Sequence, residues 1–151
     1  MPVTQYTEAE LAAQPVGYWA TEASRLVLAA IRAELAAEDL TQPHWWTLNH
    51  VSGAPGTWTR AALTERLAPF DQQDSDFPAM LDDLVARRWL TERDGLLALA
   101  PDGEAGLSRA RERVGRAHAA LRDGIPDAAY AAMIDTLRRI VGNLGGDSDL
   151  P

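Results

Sequence analysis

The side chains with recognisable chemistry in this 151-residue sequence are its arginines. All 14 basic residues are arginine, and five of them (Arg60, Arg66, Arg87, Arg88 and Arg93) fall between Thr59 and Gly103. A guanidinium is a planar fork of donors that fits carboxylate or phosphate oxygens. Hydroxyls such as those of Thr59 and Ser75 supply the neutral contacts that accompany it on a phosphate backbone. An all-arginine complement is also what GC-rich coding bias produces. The same stretch carries Asp76, Asp82 and Asp83, and a carboxylate there can accept from a cytosine amino group, cap a helix or stand in solvent.

Catalytic chemistry has no comparable footing. There is no Gly-rich phosphate loop and no nucleophile motif, so no enzymatic activity is expected. The absence of cysteine excludes disulfides, thiol redox sensing and thiolate metal sites. His44 and His50 lie six apart on a helix and face different ways, and with His118 they make no metal-ligand spacing. No metal and no cofactor are expected. The net charge of −8 would repel a phosphate backbone unless the basic groups gather on one face.

The elements that must position these residues follow from pattern and capping. Leu63 and Leu67 sit four apart behind Thr59, an N-cap type. Phe77, Met80, Leu81, Leu84 and Val85 trace one face of a second helix, with Ser75 or Asp76 as cap and Pro78 tolerated in its first turn. Asp94-Gly95 then joins two short strands, roughly Leu90 to Arg93 and Leu97 to Leu99, because a two-residue turn needs positive φ. Strands this short must pack on the helices.

Upstream, Thr7-Glu8-Ala9-Glu10 is a capping-box pattern opening a short helix before Pro15. Val16 to Glu38 spaces Trp19, Ala23, Leu26, Val27, Ala30, Ile31 and Leu35 as one apolar face. Thr41 starts a further helix with Pro43 in its first turn, ended by Ser52-Gly53-Ala54-Pro55-Gly56. Downstream, Pro101 begins a long helix to about Asp123, Gly124 terminates it, and Pro126 opens the last, striped with Tyr130, Met133, Ile134, Leu137, Ile140, Val141 and Leu144. The Gly/Asp-rich tail from Gly145 is expected to fray.

In order and spacing, Leu40-Thr41, Trp45, Leu48, Thr59-Arg60, Leu63 to Leu67, Leu81 to Leu90 and Leu99 to Gly103 resemble the MarR family of bacterial winged helix-turn-helix transcription regulators. The resemblance spans most of the chain. It implies a mainly α fold with a small β wing, in which a winged helix-turn-helix core (40–100) is flanked by long dimerisation helices (16–38 and 101–144) of one MarR-like domain. About 70% of the surface exposed by an unfolded chain of this size would be buried.

The resemblance further implies a homodimer that binds double-stranded operator DNA and is released by a small aromatic or anionic effector. Thr59, Arg60, Ser75, Asp76, Ala79, Arg87, Arg88 and Arg93 then fall on the DNA face. Trp19, Arg25, His44 and Trp45 line the effector cavity, since aromatic walls with a few polar groups suit such ligands. Trp45 also matches a core position, His44 and His50 also fit as satisfied polar residues, and Arg87 and Arg88 also fit as salt-bridge partners of Asp83 and nearby acids.

Three features depart from the family pattern: acidic first turns in the reading helix, the stub wing at Asp94-Gly95, and the longer turn Asp71-Gln72-Gln73-Asp74. A MarR-fold dimer that has lost DNA reading and serves as a ligand- or protein-binding module is therefore the alternative. Surplus apolar helix face argues for a dimer over an intramolecular bundle. The polar, acidic start Met1 to Glu10 shows no signal-peptide pattern and no apolar run is long enough to span a bilayer, so a cytoplasmic protein without a membrane partner is expected.

Overall fold

The computed structural model describes residues 3–149. Its helices are α1 (Glu8–Ala12), α2 (Val16–Ala36), α3 (Gln42–Gly53), α4 (Arg60–Leu67), α5 (Phe77–Ala86), α6 (Pro101–Leu121) and α7 (Asp127–Asn143). Two strands, β1 (Leu90–Arg93) and β2 (Leu96–Leu99), form an antiparallel pair in which Arg93 opposes Leu96. Asp94 and Gly95 both take positive φ, 52° and 77°, as the expected hairpin turn requires. The chain divides into two compact units, one running to Val114 and one beginning at Gly115.

Caps account for most boundaries. The Thr7 hydroxyl accepts from Glu10 N–H while the Glu10 carboxylate accepts from Thr7 N–H at 2.8 Å, a reciprocal box. The expected end of α2 at Glu38 comes two residues early. Asp39 turns left-handed (φ 54°), Leu40 N–H bonds back to Leu35 O and Asp39 N–H to Ala36 O, each at 3.0 Å. This is a Schellman stop with aspartate in place of glycine. α5 ends the same way, with Arg88 at φ 61°, Trp89 N–H on Leu84 O and Arg88 N–H on Val85 O.

The core of the first unit is built from leucines. Leu35 of α2, Leu48 and Val51 of α3, Leu63 of α4, Leu81 and Leu84 of α5, Leu90 and Leu97 of the wing, and Leu107 and Ala110 of α6 are buried in one cluster. The stub wing is held on its other edge by the loop before α4, where Gly56 N–H bonds to Leu97 O and Leu97 N–H to Trp58 O, both at 2.9 Å. Trp89 lies on α6 because Gly103 and Gly106 carry no Cβ. A methyl at either would overlap the Trp89 backbone or its ring.

The flanking helices differ. α1 and α7 bury no residue, and of α2 only Leu35 is buried. Within the second unit Arg122 stacks over the Tyr130 ring at 4.1 Å and pairs with Asp127 at 2.9 Å. Of the tail expected to fray, residues 145–149 are described and make the contacts that follow, while Leu150 and Pro151 lie outside the described residues. Gly145 takes φ 81° in a further Schellman turn, and Arg138 holds Ser148 O at 2.8 Å and Asp149 at 2.9 Å. Among the described residues no helix is long and apolar enough to cross a membrane.

Candidate nucleic-acid interface

The face formed by α4, α5 and the wing is where the candidate DNA-contacting residues gather. Thr59 caps α4, its hydroxyl accepting from Ala62 N–H at 3.1 Å. The chain then makes a 3-10 turn, Ala68–Phe70, and the lengthened connection is locked. The Asp71 carboxylate accepts from Ser75 N–H at 2.6 Å and from the Ser75 hydroxyl at 2.9 Å. Those bonds, the backbone one foremost, hold Asp71 below its ordinary pKa. Ser75 is thus committed to the turn, and the α5 cap is Asp76, accepting from Ala79 N–H at 2.9 Å.

α5 turns Phe77, Met80, Leu81 and Leu84 inward and leaves Pro78, Ala79, Asp82 and Ala86 exposed. Asp82 is not a free carboxylate. Arg60, the first residue of α4, donates Nη1 to Asp82 at 2.6 Å and Nε to Glu92 of β1 at 2.9 Å. The bonds to Glu92 and then Asp82 raise the Arg60 pKa above its ordinary value. One guanidinium therefore ties together α4, α5 and the wing.

Asp83 is the second junction. Of the readings open for it, solvated residue, base reader or salt-bridge partner of Arg87 and Arg88, the structure has the pair with Arg87. His44 Nε2 lies 2.9 Å and Arg87 Nη2 2.7 Å from its Oδ2. Arg87 also donates to Asp39 O at 2.8 Å and lies 5.7 Å from the Trp89 ring centroid. His44 is buried, and its Nδ1 accepts from Thr41 N–H at 3.1 Å, so the ring proton of the neutral form sits on Nε2 and points at Asp83. Burial lowers the His44 pKa against the opposing pull of Asp83. Partial burial raises the Asp83 pKa, but the His44 and Arg87 bonds outweigh it and hold that carboxyl below its ordinary range.

Three guanidiniums on this half, those of Arg66, Arg88 and Arg93, are exposed and have no ion pair among the described residues. Arg93 stands at the wing tip and Arg88 at the left-handed corner after α5.

The candidate effector residues are not brought together within one chain. Trp19 is exposed on α2, donating Nε1 to Gln14 Oε1 at 2.6 Å. With Val3, Thr4, Tyr6, Leu11 and Val16 it lines an open apolar cavity of about 680 Å³ that contains neither His44 nor Trp45. Arg25 is paired with Glu22 at 2.7 Å, Trp45 packs half-buried against the core, and His44 is spent on Asp83.

The ties at Arg60 were missed in sequence because its partners lie 22 and 32 residues away. The Asp83–Arg87 pair, at i and i+4, was within reach of helical spacing. Glu38 was also passed over. Bonds from Arg113 and then Arg109 of α6 hold its pKa down.

Two helices joined by a lengthened turn, a hairpin packed on them and long amphipathic helices before and after them in the chain make up the winged helix-turn-helix fold of MarR-type transcription regulators. Solved structures give that class its particulars. A MarR-family regulator from Rhodococcus sp. RHA1 superposes with a TM-score of 0.67 at 21% identity, covering 91% of this chain and 96% of its own. CouR from Rhodococcus jostii RHA1 bound to p-coumaroyl-CoA gives 0.65 at 22%, covering 85% and 92%. The reduced form of MarR from E. coli gives 0.64 at 20%, covering 85% and 94%. At these identities the likeness is one of fold. No protein-family model and no curated protein matches the sequence.

Proposed function

We propose that the protein is a homodimeric, ligand-responsive DNA-binding regulator of the MarR type. The observation that carries this reading is the contrast between a winged unit with a closed leucine core and flanking helices whose apolar side chains are uncovered. In the first unit Leu11, Val16, Tyr18, Trp19 and Leu26 are exposed, and in the second Ile125, Met133, Ile134, Val141 and Leu144 are. A second copy covers both sets in the proposed dimer, with 16–38 and 101–144 as its helices. Its cytoplasmic setting belongs to the same reading.

Arg88 adds support. An arginine held at positive φ costs backbone energy that glycine would avoid, which points to a use for its side chain. Arg88, Arg93 and Arg66 are the proposed phosphate contacts, with Thr59, Asp76 and Ala79 beside them. The CouR structure holds p-coumaroyl-CoA. By analogy an aromatic anion is the effector class proposed here, against Trp19 and Trp45 once two copies meet.

Fluorescence anisotropy with duplex from the gene's own upstream region tests this. Three free arginines per head predict salt-sensitive binding, with a log–log slope of about −5 for the dimer. Absence of any salt-sensitive binding at low ionic strength would sink the DNA-binding half. The acidity of the reading face favours a second reading, a MarR-fold dimer that binds ligand or protein alone. That same negative result, with effector binding retained, would establish it.

A further inference from the structure

The Arg60 junction has the form of an occupied phosphate site. Two of its five N–H donors, on Nε and Nη1, lie on different edges of the guanidinium, and each is taken by a carboxylate of the same chain where a phosphate oxygen could otherwise sit. The two carboxylates are not equivalent. The Glu92 side chain is 31% exposed and lies against the wing, whereas the Asp82 side chain is 71% exposed. Apart from the guanidinium, neither carboxylate has a hydrogen-bond partner among the described residues.

We propose that Asp82 and Glu92 form an autoinhibitory clamp, an internal stand-in for DNA phosphate that masks Arg60 and sets the affinity of the winged unit. Glu92 is the fixed jaw and Asp82 the replaceable one. A backbone phosphate gains Arg60 only by displacing Asp82, and the displaced carboxylate then stands beside the phosphate and repels it. The clamp weakens binding alike on all sequences, because phosphate contacts carry no base information. It explains how a reading helix with an exposed aspartate can belong to a DNA-binding fold: the acid tunes strength, not sequence. This inference rests on the DNA-binding reading above.

The test is a mutant cycle read by anisotropy on a fluorescein-labelled mixed-sequence duplex, titrated with salt. The variants are Asp82→Asn, Asp82→Asn/Glu92→Gln, Arg60→Ala and the triple variant. Releasing one arginine per head steepens the log–log salt slope by roughly 2 for the dimer and tightens binding about tenfold at low salt. Asp82→Asn alone, at a largely exposed position that cannot unfold the protein, gives most of this. The gain vanishes in the Arg60→Ala background.

A gain that survives without Arg60 is general relief of charge repulsion and overturns the clamp, as does an unchanged slope in variants of a wild type that binds. Binding only by the unclamped variants, dependent on Arg60, supports the clamp in its strongest form. No binding by any variant overturns the clamp together with the DNA-binding reading, whereas the preceding failures leave that reading standing.

Discussion

The winged core and the flanking helices of this chain have similar raw material and opposite fates. Leu35, Leu48, Leu84 and Leu97 are fully buried, whereas Leu11, Leu26 and Leu144 are exposed. Both regions have helical apolar stripes. The difference lies in partners: α3, α4, α5, the wing and the first half of α6 converge on one another, while α1, the first half of α2 and α7 leave their stripes uncovered in their own units. A helical stripe therefore marks an apolar face and does not by itself tell whether the rest of its unit covers it.

Truncating the core should produce the largest effect. Leu84→Ala removes a side chain at 0% exposure and should cost about 2–5 kcal/mol, read by urea denaturation. Met133→Ala, on the uncovered stripe of α7, should cost well under 1 kcal/mol in a monomeric sample at high dilution. Equal losses at the two positions would erase the contrast.

A smaller effect is expected at Gly106, whose missing Cβ makes room for the Trp89 ring. Gly106→Ala should force that indole off α6 at roughly 1–3 kcal/mol, visible as a change in near-ultraviolet circular dichroism.

Acid should loosen the core in two steps. The His44 pKa is lowered by burial, so below its ordinary value of 6.5 the unfolded chain takes up the proton first and stability falls. Glu38 and Asp83 have depressed pKa values. Their contribution is full above the ordinary values of 4.5 and 3.8 and is lost as pH falls through the lower folded values. His44→Gln should flatten the first step of a Tm-against-pH curve and weaken the Asp83 part of the second, leaving the Glu38 part in place.

The smallest change separates stability from binding. Arg88→Gly relieves a left-handed arginine and should raise stability by up to about 1 kcal/mol while weakening duplex affinity. A loss in both would show that the side chain serves the fold.

Most of the fold was legible. Thr7 and Thr59 announced their caps, Asp94-Gly95 its turn, and the spacing of Phe77 to Leu84 its buried face. Local chemistry fixes those features, so local sequence reveals them. The site was less legible because its decisive contacts are distant in sequence. Nothing near Arg60 marks Asp82 and Glu92 as its partners, and nothing near His44 marks Asp83 across 39 residues. The acidity of α5 was visible, and so was the Asp83–Arg87 pair at helical spacing, but the ties of Asp82 to Arg60 and of Asp83 to His44 were not. Ser75 shows a further gap, since one residue offered both a cap and a phosphate donor, and Asp71, four residues earlier, took it for the turn.

The central claim is that the uncovered helices are completed by a second copy. Light scattering on the purified chain after size-exclusion chromatography measures this directly. At micromolar concentration a single species at twice the 16.4 kDa chain mass is predicted, falling to the chain mass in Leu26→Asp/Ile134→Asp. A monodisperse wild type at 16.4 kDa with its apolar stripes still exposed would contradict the account.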